Sequence, residues 1–413
     1  MAAPEHGLEQ EVDPEKVGLS SERLARIERH FTRYVDDGRL AGWLAVVTRR
    51  GQVAHVVHRG LRDREANTPV GSDTLWRWYS MTKPVTSVAA MILYEEGAFD
   101  LRDPVARWIP SLADPQVYVA GPPAKPVTRP AGEPIRIWHL LTHTAGLTYG
   151  FHHVHPVDAM YRAAGFEWGH PRAMDLAACV DAWAALPLLF DPGTEWAYSV
   201  ATDVLGHLVE VVSGQPLDEL LRTRVLEPLD MHDTGFWVDA QRAERLAALY
   251  GAHPRTRLAT PLDGSATLAP PSMLSGGGGL VGSARDYHRF TQMLLRGGEI
   301  DGIRLLGART VAYMAANHLP GHRDLEQFGR KLFAETSYDG VGFGLGFSVT
   351  DDPVASKVLG STGEYGWGGA ASTAFWVDPA EELTALFFTQ LVPSSTHAIR
   401  PELKALVYQA LVE

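Results

Sequence analysis

Strand-forming segments occur at both ends of this chain, and a long middle region separates them. The segments cover residues 44–48, 53–58, 342–349, 371–377 and 383–390. Their apolar residues alternate with polar ones or form short runs, the patterns of half-buried and fully buried strands. The first two are joined by Arg49-Arg50-Gly51-Gln52, which predicts a hairpin. A chain of this kind is expected to close one antiparallel sheet from strands contributed by its two ends.

The middle region, residues 98–284, is rich in Pro, Gly, Trp and His and carries several short helical patterns. In the clearest, over residues 201–212, Val204, Leu205, Leu208 and Val211 recur on one side. We therefore expect a single α/β (α+β) catalytic domain over residues 10–413, a sheet flanked by helices. Its α/β part comprises about 10–97 and 285–413, and a mostly helical, loop-rich subdomain is inserted at about 98–284.

Four more helices are predicted outside the middle region, at residues 20–37, 85–96, 287–296 and 400–412. Ser20 or Ser21 can cap the first helix, Gly97 can end the second, and Ser283 begins a capping box before the third. A short strand over residues 74–78 leads directly to Ser80.

Composition excludes several classes of function and partner. The net charge of −12 argues against nonspecific binding to nucleic acid or to anionic membranes, which requires a basic face. The one cysteine, Cys179, lies among alanines and is expected to be a small buried residue. No run approaches the length of a membrane span, and residues 1–10 lack the pattern of a secretory signal, so the cytoplasm is the expected compartment. The oligomeric state stays open.

The segment Ser80-Met81-Thr82-Lys83 carries the first candidate catalytic pair. A spacing of three places both side chains on one helix face, with the serine near the helix N-terminus. A serine hydroxyl needs a base to take its proton. That base is either a lysine neutralised by burial or a tyrosine whose phenolate is held by the lysine's charge. Each alternative requires a pKa about three units below its ordinary value, which corresponds to ~4 kcal/mol.

Two further motifs follow in order. The second is Tyr198-Ser199-Val200, preceded by residues 190–196, and the third is Trp367-Gly368-Gly369. Together with residues 140–147 and 277–281, these three motifs resemble the serine β-lactamase-like hydrolases over roughly residues 20–410. Within that family the chain is similar to class C β-lactamases and, more closely, to the family VIII carboxylesterases.

The resemblance implies a role for each motif residue. Ser80 is the nucleophile that forms the acyl-enzyme, Lys83 shapes the electric field, and Tyr198 is the general base and acid. The backbone N–H groups of Ser80 and Ala370 form the oxyanion hole, with Ala370 following Trp367-Gly368-Gly369 on an edge strand. No cofactor or metal ion is implied.

Two departures from the lactamase pattern indicate the substrate. Lactamases have Lys-Thr-Gly where this chain has Trp367-Gly368-Gly369, and they have asparagine at the position of Val200. The replacements supply neither a cation nor an amide for an anionic antibiotic. Short- to medium-chain carboxylic esters are therefore the expected substrates, bound among Trp367, Gly368, Gly369, Val200 and the loop residues Tyr149 and Phe151.

Several alternatives stay open. Fungal lovastatin acyltransferase resembles the same family and also carries Trp-Gly-Gly, so transfer of the acyl group to an alcohol fits these motifs as well. A weak β-lactamase or D-amino-acid peptidase shares the acylation machinery, and a penicillin-recognising protein without turnover is the non-enzyme alternative.

Histidines offer two further sites that the sequence disfavours. His152, His153 and His155 lie in a proline-containing loop without a carboxylate or cysteine, so we expect them to line the substrate entrance beside Trp168 instead of binding a metal. His143 is expected to be a structural, hydrogen-bonded side chain, because the chain has no Gly-x-Ser-x-Gly elbow for a Ser-His-Asp triad.

Overall fold

The computed structural model describes residues 7–171, 173–330 and 337–413. The first six residues, on which part of the signal-peptide prediction rests, lie outside this range. The helices are α1 (Ser21–Asp36), α2 (Thr82–Glu95), α3 (Ile137–Leu141), α4 (Pro156–Ala163), α5 (Leu176–Ala184), α6 (Ala201–Ser213), α7 (Leu217–Leu221), α8 (Ala284–Leu295), α9 (Ala308–Met314), α10 (Leu325–Phe328), α11 (Pro353–Ser356) and α12 (Ile399–Tyr408). The strands are β1 (Gly42–Arg49), β2 (Gln52–Asp63), β3 (Thr68–Pro69), β4 (Leu75–Arg77), β5 (Gln116–Ala120), β6 (Val127–Pro130), β7 (Leu249–Ala252), β8 (Ala259–Leu262), β9 (Val281–Ser283), β10 (Glu299–Ile300), β11 (Ile303–Arg304), β12 (Val341–Phe343), β13 (Ser348–Thr350), β14 (Tyr365–Gly368), β15 (Ala374–Asp378), β16 (Leu383–Phe388) and β17 (Leu391–Val392).

The main sheet takes its strands from both ends of the chain, as predicted. Its order is β12-β13-β14-β15-β16-β1-β2-β3, and its neighbouring strands are antiparallel. The pairing of β1 with β16, which sets Leu44 opposite Phe388, joins the N-terminal hairpin to the C-terminal strands. The predicted antiparallel sheet and the β1–β2 hairpin are therefore confirmed.

Helices cover both faces of this sheet. Along β1, Leu44 and Val46 belong to the apolar core that includes α2 and α8, whereas Trp43, Ala45 and Val47 belong to the core shared with α1 and α12. Alternate residues of a strand point to opposite faces, so a strand between two helical layers is buried along its whole length. β1 is buried at every position for this reason.

Several predicted strand bounds need correction. Residues 342–349 form two strands, β12 and β13, because the chain turns between them at Gly346, whose φ of 105° suits glycine. Strand β15 begins at Ala374 instead of residue 371, since the chain is still turning at Ser372, where φ is 65°. Strand β16 ends at Phe388, two residues before the predicted end.

The predicted helices are present with small shifts. Ser20 caps α1 by accepting a hydrogen bond from the Arg23 N–H, and Ser283 caps α8 by accepting from the Asp286 N–H. α2 begins at Thr82 and α8 at Ala284, each about one turn earlier than the apolar pattern indicates. Val211 is an error in the predicted face of α6, because its side chain is exposed. No helix in the described ranges has the length and apolarity needed to cross a bilayer.

α2 lies between the sheet and the middle region and carries the first motif. It packs against α6 and α7, and its residues from Thr82 to Leu93 are all buried. The middle region supplies α3 to α7 together with the short strands β5 to β9, of which β9 pairs with β4 just before Ser80. The chain around Ser80 is thus held from both sides.

A buried histidine at the start of α3 makes stability depend on pH. The Nδ1 atom of His139 accepts a hydrogen bond from the Arg136 N–H at 3.1 Å, and burial lowers the pKa of His139 to about 4. The unfolded chain therefore binds this proton first as pH falls, so the contribution is present above pH 6.5 and is lost towards pH 4. We expect His139→Gln, whose amide oxygen can still accept that N–H, to remove about 3 kcal/mol of this pH dependence of the unfolding free energy.

Urea unfolding at several pH values between 4 and 7 measures this difference. The exposed His253 provides a control, because His253→Gln should leave the pH dependence unchanged. Parallel curves for the wild type and His139→Gln would contradict the assignment.

Candidate active site

Ser80 lies in a short 3-10 turn, Tyr79–Met81, between β4 and α2. The preceding residue, Tyr79, has a φ of 48°, a left-handed conformation that is strained for a side chain of this size. Ser80 is half-buried, whereas Lys83 is 1% exposed. The Lys83 Nζ donates to Ser80 Oγ at 3.1 Å and to the Gly277 carbonyl oxygen at 2.7 Å. The structure therefore brings the predicted pair together and holds the lysine with a second acceptor.

Tyr198 lies on the other side of the same ammonium group. The Lys83 Nζ is 4.5 Å from the centroid of the Tyr198 ring, and the Trp367 Nε1–H donates to Tyr198 Oη at 3.2 Å. A hydrogen bond donated to an oxygen that carries negative charge is stronger than one donated to a neutral oxygen. The second and third motifs thus meet at the phenolic oxygen of Tyr198, where the Trp367 N–H is placed to donate to any negative charge that forms there.

The third motif is not on an edge strand, which corrects the prediction. Strand β14 pairs with β15 on one side and with β13 on the other. However, β13 pairs only with Tyr365 and Gly366, so the Trp367-Gly368 end of β14 extends beyond it. This end is open on one side although the strand as a whole is internal.

Gly369 allows the end of this segment to approach the nucleophile closely. A Cβ atom at Gly369 would lie 2.2 Å from the Trp78 carbonyl oxygen, and the Thr373 Oγ1–H donates to that same oxygen at 3.3 Å. The backbone N–H groups of Ser80 and Ala370 find no acceptor among the described residues. Two unused donors on adjoining segments are what an oxyanion hole requires.

A row of three stacked aromatic side chains extends outward from Lys83. The Tyr149 ring centroid is 5.5 Å from Lys83 Nζ, Phe151 stacks on Tyr149 at 4.7 Å, and Trp168 stacks on Phe151 at 4.7 Å. Burial and the negative charges of Asp203 and Tyr198 raise the pKa of Tyr149 well above its ordinary value. Tyr149 therefore keeps its proton and is not a rival base.

Val200 and Gly368, which were both predicted to bind the substrate, lie in different surroundings. Val200 is buried at the start of α6, where its N–H donates to the Thr148 carbonyl oxygen at 3.4 Å. Gly368 is the last residue of β14, and a Cβ atom there would lie 2.3 Å from Arg400 Nη2.

The loop histidines have separate partners. The His152 Nε2–H donates to the Tyr198 carbonyl oxygen at 2.8 Å, His153 pairs with Glu167, and His155 accepts from the Val157 N–H to cap α4. Their hydrogen bonds order the loop and the backbone of Tyr198.

His143 is a buried structural side chain. Its Nδ1 lies 3.2 Å from Ser199 Oγ. Burial, together with the positive charges of Lys83 and His152, lowers the pKa of His143 well below its ordinary value. It therefore stays neutral and holds the segment after Tyr198.

Asp203 is a site residue that the sequence prediction missed. Its carboxylate is 3% exposed and accepts from Ser275 Oγ at 2.5 Å and from the Gly277 N–H at 2.9 Å. Burial raises the pKa of Asp203, while the charge of Lys83 opposes that rise. Because the Gly277 carbonyl accepts from Lys83, one glycine links the carboxylate to the ammonium group. The signal was an acid within the apolar stretch of α6, where charged residues are rare.

We expect Asp203→Asn to lower kcat by roughly tenfold to a hundredfold, because a hydrogen bond to a charged group is worth ~1.5–3 kcal/mol. The neutral amide keeps the volume but removes the negative charge that faces Lys83 through Gly277. Ester hydrolysis at saturating substrate measures the effect. Asp181→Asn, at an exposed position on α5, is the control and should retain full activity. Equal activity of the two variants would contradict the assigned role.

Residues 27–409 match the Beta-lactamase family. Esterase EstB of Burkholderia gladioli is 34% identical over 397 residues, which cover 92% of this chain and 93% of that protein. The structure of EstCE1, a hydrolase with promiscuous acyltransferase activity, is 29% identical with a TM-score of 0.79 and covers 94% of this chain and 99% of its own. Simvastatin synthase from Aspergillus terreus is 25% identical with a TM-score of 0.80, covering 94% and 98%.

The match to the family extends over nearly the whole described chain, and residues of its three motifs contact one another around Lys83 and Tyr198. The identity to EstB runs across both the sheet and the inserted region. The chain therefore belongs to the Beta-lactamase family, and within it to the group of the family VIII carboxylesterases.

Proposed function

We propose that this chain is a serine carboxylesterase that hydrolyses small neutral esters through a Ser80 acyl-enzyme. The observation that carries the proposal is that Ser80 Oγ and the Tyr198 ring both contact the Lys83 Nζ atom. The similarity to EstB and to EstCE1 supports the same class of reaction.

Acylation begins when the Ser80 hydroxyl gives its proton to the Tyr198 phenolate and its Oγ bonds to the ester carbonyl carbon. The N–H groups of Ser80 and Ala370 bind the oxyanion that forms. When this intermediate collapses, the bond to the alcohol oxygen breaks and Tyr198 returns the proton to the leaving group. The Lys83 Nζ atom, which donates to Ser80 Oγ and lies over the Tyr198 ring, stabilises the negative charge of the phenolate.

Deacylation repeats these steps with water. Tyr198 takes a proton from the attacking water, whose oxygen bonds to the acyl carbon, and the oxyanion hole is filled again. Collapse breaks the bond to Ser80 Oγ, which recovers a proton from Tyr198. The products are a carboxylic acid and the restored enzyme.

The side chains around the nucleophile favour an uncharged acyl group. The indole of Trp367 is uncharged and its N–H donates to Tyr198 Oη, so it offers neither a cation nor a free donor to a substrate carboxylate. The apolar faces of Tyr149 and Phe151 flank the path to Lys83. Short- to medium-chain esters fit this lining. The cytoplasmic location stays a prediction from the pattern of residues 1–10 and of the apolar runs, and the lack of nucleic-acid partners stays a prediction from the net charge.

Transfer of the acyl group to an alcohol is the second candidate function. EstCE1 is described as a hydrolase with promiscuous acyltransferase activity, and it shares the fold across 94% of this chain. The same acyl-enzyme serves both reactions, which differ only in whether water or an alcohol attacks it.

A panel of p-nitrophenyl esters of graded chain length, measured beside a chromogenic cephalosporin, tests the proposal. We expect turnover of the short and medium esters, little turnover of the cephalosporin, and a mass increase of one acyl group on Ser80 after rapid quenching. Product analysis with added alcohol gives the share of transfer. Absence of ester turnover together with absence of acylated Ser80 would overturn the proposed function.

A further inference from the structure

Arg400, on α12, reaches across the sheet to the loop that carries the oxyanion donor. Its Nη2 donates to the carbonyl oxygen of Gly369 at 3.1 Å and to that of Thr373 at 3.2 Å. These two carbonyls frame the turn from β14 to β15, which is also closed by the Gly369 N–H donating to the Thr373 oxygen at 2.9 Å. One guanidinium nitrogen therefore holds both sides of the turn.

The Gly369 carbonyl belongs to the same peptide group as the Ala370 N–H. A cationic donor on the oxygen of an amide withdraws electrons from it and makes its N–H a stronger donor, because hydrogen bonds in a chain polarise one another. The Ala370 N–H has no acceptor among the described residues, so this polarisation is available to a bound substrate. Arg400 thus both holds the turn and polarises the Ala370 N–H that is assigned to the oxyanion hole.

The contact with Arg400 explains the first glycine of the third motif, Gly368. A Cβ atom at Gly368 would lie 2.3 Å from Arg400 Nη2 and 2.4 Å from its Cζ, so a larger residue would displace the guanidinium group. Gly369 has a different neighbour, the Trp78 carbonyl oxygen. The two glycines thus make room for the polarising cation on one face and for the nucleophile segment on the other.

We propose that Arg400 is a positioning residue that aligns and polarises the Gly369–Ala370 peptide for oxyanion binding. The proposal rests on the proposed function, because it presupposes an acyl-transfer reaction at Ser80. Arg400 does not touch the substrate in this role. It acts through the peptide and raises the stability of the tetrahedral intermediate more than that of the bound ester.

Arg400→Ala provides the main test. We expect kcat to fall by about tenfold to a hundredfold, less than or similar to the loss of a whole oxyanion donor, while KM changes by less than about threefold. An aliphatic trifluoromethyl ketone is the probe, since Ser80 Oγ adds to its carbonyl carbon and creates an oxyanion in the hole. Its affinity should fall in proportion to kcat/KM.

Chemical rescue separates polarisation from a merely structural role. Arg400 lines a solvent-open cavity of about 130 Å³ behind β14, together with Ser348, Trp376 and Lys404. Millimolar guanidinium chloride should therefore restore part of the kcat of Arg400→Ala. Lys404→Gln is the matched control: Lys404 lies on the same helix and in the same cavity, but its partner is Glu364 and not the turn, and glutamine can still donate to that carboxylate. It should retain wild-type kcat and show no response to guanidinium.

The outcomes are decisive in each direction. If Arg400→Ala does not fold, Arg400→Gln keeps most of the volume without the charge and is measured in the same way. Wild-type kcat and ketone affinity in a folded Arg400 variant, or a loss that Lys404→Gln reproduces and guanidinium does not relieve, would overturn the proposal. Ser80→Ala, assayed in parallel, distinguishes failure of the Arg400 proposal from failure of the proposed function. An active Ser80→Ala protein would overturn both, whereas an inactive one would confine the failure to Arg400.

Discussion

Replacement of Ser80 by alanine is expected to lower kcat for ester hydrolysis by at least about 10⁴-fold, because no acyl-enzyme can form without Oγ. Binding should change little, since Ser80 is half-buried and its hydroxyl contacts only Lys83 among the described side chains. The ammonium group keeps the Gly277 carbonyl as an acceptor, so the fold should survive the change. Hydrolysis of p-nitrophenyl butyrate and labelling by a fluorophosphonate probe measure the two expected losses.

Ser87 supplies a closely matched control for this experiment. It lies on α2, one turn beyond Lys83, is 1% exposed, and its hydroxyl has no hydrogen-bond partner among the described residues. Ser87→Ala should therefore retain both hydrolysis and probe labelling. Wild-type hydrolysis by Ser80→Ala would show that the acyl-enzyme forms elsewhere or not at all.

The fold was largely predictable because its cues are local. The hairpin of β1 and β2 follows from two short apolar runs on either side of Arg49-Arg50-Gly51-Gln52, and the helices α1, α6 and α12 follow from helical patterns. Helix starts were less accurate: the first turn of α2 contains Thr82 and Lys83, whose burial comes from packing between the sheet and α6 and is not encoded in the local pattern. The position of β14 inside the sheet depends on its pairing with β13, and the sequence does not reveal which strands pair.

The site residues likewise divide into those that local motifs predict and those that only the tertiary structure reveals. Ser80, Lys83, Tyr198 and Trp367 stand in short motifs, and the structure brings these four together. The supporting residues come from tertiary contacts alone. Asp203 acts through the backbone of Gly277. Arg400 contacts a turn 31 residues earlier in the chain. Such partners leave no fixed spacing in a single sequence.

Tyr198→Phe is expected to lower kcat by about 10²- to 10⁴-fold, the range for loss of a general acid and base. The change removes only the phenolic oxygen, so the ring can keep its contacts with Lys83 and Trp367. The leaving group gives the sharper test. p-Nitrophenolate departs without a proton, whereas the alkoxide of an ethyl ester needs one. The loss should therefore be larger for ethyl esters than for p-nitrophenyl esters, which titration of released acid measures for both.

Two further variants test whether this loss of kcat comes from the phenolic oxygen of Tyr198. Trp367→Phe deletes the indole N–H that donates to Tyr198 Oη but leaves the base in place, so a smaller loss of about tenfold is expected, the value of one hydrogen bond to a charged oxygen. Tyr365→Phe removes a buried hydroxyl from the same strand two residues earlier and should leave kcat unchanged. An equal loss with both classes of ester in Tyr198→Phe would mean that Tyr198 does not protonate the leaving group. The proton would then be expected to come from Lys83, whose Nζ donates to Ser80 Oγ.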